Sequence, residues 1–146
     1  MSAGAWLRLI LRGVALVVRW LRRGAATTPA ALADQLPECD LPDGAPWDRR
    51  ANVRVEGDRL AVDLHGLSVR EALAVAARAL EVVPKGTRLR LITGHGRDRA
   101  LGYSELRVAL FDALSARRDA RIVDPERHRG HRRATDRLGH MDVDAR

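Results

Sequence analysis

Two short stretches carry the residue types that proton transfer and phosphate contact require. Ala61-Val62-Asp63-Leu64-His65-Gly66 places a carboxylate and an imidazole two residues apart at the end of an expected strand. Ile92-Thr93-Gly94-His95-Gly96 places a glycine-flanked histidine at the end of another. On a strand, residues two apart point to the same face, so Asp63 and His65 can act together. Imidazole titrates near working pH, and a neighbouring carboxylate can fix its tautomer or raise its basicity. Gly94 and Gly96 allow positive φ and close approach of backbone to a phosphate. Arg97 and Arg99 follow at once and suit phosphate oxygens. His95 can donate a proton or touch the substrate. The plainer alternatives are that Asp63 pairs with an arginine, that His65 caps the next helix, and that Gly-x-Gly is only a tight turn.

Positioning these residues requires two strand ends on one edge. Val53-Arg54-Val55 and Leu60 to Leu64 alternate with period two, and Glu56-Gly57-Asp58 between them is turn chemistry, so residues 52–64 read as a hairpin. Ser68-Val69-Arg70-Glu71 is a capping-box sequence. Val69, Leu73, Ala76, Leu80 and Val83 follow at helical spacing, and Pro84 with Gly86 stops the helix. Arg88 to Thr93 is the next strand. A strand, helix, strand order of this length predicts a parallel pair with a right-handed crossover, which brings both carboxyl ends to the edge where α/β sheets bind ligands. A second helix is expected from Ser104 to about Arg117, with Leu106, Ala109, Leu110, Ala113 and Leu114 inward, followed by a strand at Ala120 to Asp124.

Asp63-Leu64-His65-Gly66, then a capped helix, then a strand ending in Thr93-Gly94-His95-Gly96, resembles the Smr (small MutS-related) domain over residues 59–125. Leu101 to Arg107 also resembles that family's entry to its second helix. The resemblance implies an endonuclease that cleaves phosphodiester bonds in RNA or DNA. It implies that Asp63 and His65 are catalytic and that Thr93, Gly94 and Gly96 contact the nucleic acid. His95 occupies a more variable position of the motif. A divalent metal and ribosome association remain open. The chain departs from the family after Pro125. Residues 126–140 are rich in Arg and His, and only Leu138, Met141 and Val143 suggest a last strand, so a weak, exposed or absent closing strand is expected. His128, His131 and His140 lack the partners of a metal site; a solvated basic tail that touches nucleic acid fits them better.

Composition sets outer limits. The 146 residues hold one modest domain with extensions, and the single Cys39 excludes an intramolecular disulfide. Lys85 is the only lysine among the basic residues. Of the net charge of +7, residues 1–24 carry +5 through Arg8, Arg12, Arg19, Arg22 and Arg23, which leaves +2 for the rest. Nucleic-acid contact must therefore rely on local arginine clusters. In residues 1–24 those arginines form one stripe of a helix whose remaining surface is apolar, with Trp6 and Trp20. Its apolar runs are too short to span a bilayer, and it suits a membrane surface or a protein partner. Pro29, Pro37, Pro42 and Pro46 mark residues 25–50 as an extended linker.

The expected architecture is thus an α/β two-layer sandwich at residues 51–144, with a mixed four-stranded sheet and two helices. It is preceded by the linker and the amphipathic helix. The expected protein is a bacterial, cytoplasmic endonuclease, with membrane association as a further option. The rival reading is a non-catalytic nucleic-acid- or ribosome-binding module.

Overall fold

The computed structural model describes residues 28–95, 104–129 and 139–146. In chain order its elements are α1 (Pro29–Ala33), β1 (Val53–Glu56), β2 (Arg59–Asp63), α2 (Val69–Val82), β3 (Arg88–Ile92), α3 (Glu105–Ser115), β4 (Ala120–Ile122), α4 (Glu126–Arg129) and β5 (His140–Ala145). The amphipathic helix expected at residues 1–24 lies outside the described residues, as do Gly96, Arg97, Arg99 and His131. Among the described residues no helix is long and apolar enough to cross a membrane.

The architecture is mixed α/β. β1 and β2 form the expected hairpin, with Glu56 opposite Arg59 across a two-residue turn. β2 and β3 are parallel, with Asp63 opposite Ile92, so both strands end together. The expected sheet of four strands is corrected to five, in the order β1-β2-β3-β5-β4. β5 is neither weak nor exposed. It lies between β3 and β4, antiparallel to both, with Met141 and Val143 fully buried. The run is legible as a strand by its period of two, but its alternate residues are acidic and it follows an Arg-rich stretch, which masks it in the sequence. Those acids are matched on the neighbouring strands. Arg88 stands opposite Asp144 and Arg90 opposite Asp142, so burying the strand leaves no carboxylate alone.

The sheet consequently has one apolar and one charged face. Leu60, Val62, Leu89, Leu91, Met141 and Val143 point into the core. Arg54, Glu56, Arg59, Arg88, Arg90, Arg121, Asp142 and Asp144 share the other face. There Arg90 reaches Asp142 at 2.8 Å and Glu56 at 3.3 Å, Arg88 reaches Asp144 at 2.8 Å, and Arg121 reaches Asp144 at 3.0 Å. Burial opposes ionisation of Asp142, but the hydrogen bond and charge of Arg90, with Arg59 beside it, hold its carboxyl below the ordinary 3.8. The hydrogen bond from Arg88 lowers Asp144 likewise.

The helices form for the reasons the sequence supplies. Ser68 accepts from the Glu71 N–H while Glu71 accepts from the Ser68 N–H, closing the capping box of α2. The buried stripe is Ala72, Val75, Ala76, Ala79 and Leu80, whereas Val69 is 37% exposed. The inward face is therefore rotated toward the small residues, which permit close packing of the backbone. On α3, Leu106, Leu110 and Leu114 are buried as expected, but Ala113 is exposed and Arg107 is buried.

The stretch expected as a linker is also corrected. Thr28 caps α1 with Pro29 at its first turn, and Leu32, Ala33, Leu36, Cys39 and Trp47 enter the same core as the sheet. Polar contacts fasten the segment: Arg49 donates to the Leu36 carbonyl at 2.7 Å and Arg78 of α2 to the Gln35 carbonyl at 3.2 Å. The prolines punctuate a packed segment. Leu32, Ala33 and Leu36 hold helical spacing for only about one turn, too short a run to outweigh the prolines in the sequence.

Met141→Ala should cost about 2–5 kcal/mol, because it empties a fully enclosed position on an interior strand; urea unfolding measures this. Asp142 contributes stability that is complete above its ordinary titration range and is lost as pH falls through the depressed folded value. Asp142→Asn should therefore destabilise the protein at pH 7 and much less near pH 2. An equal penalty at both pH values would contradict this account.

Candidate active site

The ends of β2 and β3 bring the two sequence motifs together. The Leu64 N–H donates to the Ile92 carbonyl at 2.8 Å, which carries the parallel pairing one residue past the strand. Asp63 and His65 then share a side of the chain, as their spacing requires. The Asp63 Oδ1 accepts from the His65 backbone N–H at 3.1 Å and lies 2.5 Å from the His65 Nδ1. A carboxylate only accepts, so Nδ1 carries the proton and the lone pair of the neutral ring is on Nε2. The Asp63 side chain is 12% exposed and that of His65 is 65% exposed. A buried acid thus orients an accessible imidazole. Gly66 follows at φ 87°, a conformation that L side chains rarely adopt, and turns the chain into α2.

The second motif is held from the far side. The Gly139 carbonyl, just before β5, accepts from the Thr93 N–H at 2.8 Å, the Gly94 N–H at 3.0 Å and the Thr93 hydroxyl at 3.3 Å. Gly94 has φ 69°, and a Cβ there would stand 3.5 Å from the His65 Cβ, so the loop passes directly beside the dyad. The His95 ring lies over Gly139: a Cβ on Gly139 would meet its Cε1 at 3.2 Å and its Nε2 at 3.3 Å. The absence of a side chain at residue 139 is what leaves room for that ring.

His65, Thr93, Gly94 and His95 line one open cleft of about 1360 Å³. The N-terminal ends of two helices reach it, with Ser68 and Arg70 of α2 and Ser104 of α3 on its wall. Pro37, Leu41 and Pro42, from the stretch expected as a linker, form another side. Leu41 approaches within 3.4 Å of where a Gly66 Cβ would be, so this stretch packs on the turn that carries His65. It is held at the Asp40 N–H, 3.4 Å from the Glu71 carboxylate that also closes the capping box. Those hydrogen bonds, from Ser68 above all, keep the Glu71 carboxyl below its ordinary range.

Of the expected site residues, Asp63, His65, Thr93, Gly94 and His95 therefore converge. Gly96, Arg97 and Arg99 lie outside the described residues. Arg70, Leu41 and Gly139 escaped the sequence reading, as did Arg54, whose Nη1 lies 4.0 Å from the Asp63 Oδ2. Arg70 alone had a local signal, its place in the first turn of a capped helix. Of the tail histidines, His131 lies outside the described residues, His128 is buried beside Phe111, and His140 stands in β5 opposite Ile92. Burial first, then the charge of Arg90, lowers the His140 pKa and favours its neutral form. No cluster of three His, Cys, Asp or Glu side chains suited to a metal ion exists among the described residues.

Chemically, the arrangement can accept a proton at an exposed imidazole nitrogen, hold the resulting positive charge against Asp63, and present a second imidazole from the facing loop. Gly139→Ala should push the His95 ring aside at a cost of about 1 kcal/mol. In a His95→Ala background the same change should cost much less, as thermal unfolding of the four proteins would show. No family model matches this chain, and no curated protein or solved structure matches it.

Proposed function

We propose that this cleft is the catalytic centre of a small endonuclease acting on phosphodiester bonds in RNA or DNA. The observation that carries the reading is the Asp63–His65 dyad, a buried carboxylate holding an exposed imidazole beside a glycine loop at the carboxyl edge of parallel strands. The resemblance of the same residues to the Smr domain supports it, and the two-layer arrangement of that family belongs to the same reading.

In this mechanism the His65 Nε2 takes the proton of the attacking hydroxyl, which comes from water or, in RNA, from the neighbouring 2′-hydroxyl. The oxygen attacks phosphorus, the bond to the leaving oxygen breaks, and that oxygen takes up a proton, with His95, which lines the same cleft, as the available donor. Asp63 stabilises the imidazolium while it exists. Arg70 and the first-turn N–H groups of α2 offer positive potential to the phosphate. Acidic Glu38, Asp40, Glu71 and Glu105 also border the cleft, with Glu71 engaged in the capping box, and His65 and Arg70 mark the side that suits a phosphate.

The test uses labelled single- and double-stranded RNA and DNA, with and without divalent metal. His65→Ala should slow cleavage at least about a hundredfold while changing affinity little, because a proton-transfer group acts mainly in the transition state. Arg70→Ala should weaken binding and reduce the slope of log affinity against log salt by about one phosphate contact. Binding by wild type with no cleavage under any condition would leave the surface a non-catalytic nucleic-acid-binding module.

A further inference from the structure

Asp63 has two carboxylate oxygens, and the dyad uses one. Oδ1 faces both donors of His65. Oδ2 lies 4.0 Å from the Arg54 Nη1 on the neighbouring strand. The hairpin places Arg54 there by register: it stands opposite Ala61, diagonal to Asp63 and on the same face. Arg54 is itself held, because its Nη2 lies 2.9 Å from a Glu56 oxygen and its Nε donates to that oxygen at 3.0 Å. The other Glu56 oxygen lies 3.3 Å from Arg90, which binds Asp142. A continuous row of alternating charges therefore crosses the sheet from β5 to the dyad.

We propose that Arg54 is a positioning residue for the dyad. Its charge holds Oδ2 toward β1 and so keeps Oδ1 aimed at the His65 Nδ1, and Glu56 fixes where that charge sits. A carboxylate can turn about its Cβ–Cγ bond, a broad and nearly two-fold torsion. With opposite partners on its two oxygens it has one preferred orientation. The kinetic consequence rests on the endonuclease reading, but the orientation of His65 does not.

The ring tautomer of His65 reports that orientation directly. Heteronuclear NMR of the imidazole nitrogens measures the share of neutral rings protonated on Nδ1. Arg54→Gln should lower that share, and Arg54→Lys, which keeps the charge, should restore it. Arg88→Gln removes a cation at the opposite end of the same sheet face and should leave it unchanged. Cleavage by Arg54→Gln should fall roughly three- to fivefold in kcat with little change in KM, the upper range for a half-exposed ion pair. An unaltered tautomer share in Arg54→Gln, or a lysine variant as impaired as the glutamine one, would overturn the proposal. A shifted tautomer in a protein that cleaves no nucleic acid would leave Arg54 its positioning role and remove the endonuclease reading instead.

Discussion

Everything in this molecule depends on the seating of β5 between β3 and β4. That strand buries Met141 and Val143 on one face and sends Asp142 and Asp144 to the other. Its backbone satisfies the inner edges of both neighbours, which would otherwise expose unpaired donors and acceptors. Its acids neutralise Arg88, Arg90 and Arg121, so the charged face of the sheet is a lattice of opposite signs. The residue before it supplies the carbonyl that gathers the Thr93–Gly94 loop. Core, charge balance and site geometry thus share one structural origin.

The cleft shows how a small fold divides labour between rigid and accessible parts. Asp63 is positioned by strand pairing and buried, so its place in the site is set by the scaffold. His65 stands two residues beyond the strand, exposed, where it can meet a substrate. The glycine at residue 94 brings the second loop close by adopting a backbone conformation that side chains disfavour. The wall formed by Pro37, Leu41 and Pro42 comes from the stretch before the hairpin, so a segment outside the strand–helix–strand unit completes the cleft.

Much of this was legible in the sequence, for physical reasons that differ by element. The hairpin, the parallel pair, α2 and its capping box, and the convergence of Asp63, His65 and Thr93 to His95 all follow from local periodicity and spacing. The packed stretch from residue 28 to 50 did not, because its helix is a single short turn-and-a-half and its remaining core contacts, Cys39 and Trp47, are isolated among prolines. The interior place of β5 did not, because acids alternate with its apolar residues, and the arginines of β2, β3 and β4 that make them acceptable inside a sheet are distant in sequence. Arg54 was recoverable in principle. Assigning the hairpin a two-residue turn fixes Arg54 opposite Ala61 and hence diagonal to Asp63, whereas a three-residue turn hides that neighbour. Gly139 carried no local mark, since its role is to leave space for a ring from a distant loop.

The order of strands has a consequence for synthesis. The ribosome delivers β1, β2 and β3 early, then β4, and delivers the strand that belongs between β3 and β4 last among them. Until residues 139–145 emerge, the inner edges of β3 and β4 stay open to wrong pairing, and the arginines of their outer face lack their acids. The anchor of the Thr93–Gly94 loop is missing for the same interval. Before that strand emerges a nascent chain is therefore unable to complete its own cleft, because the finished geometry needs pairing between segments distant in sequence.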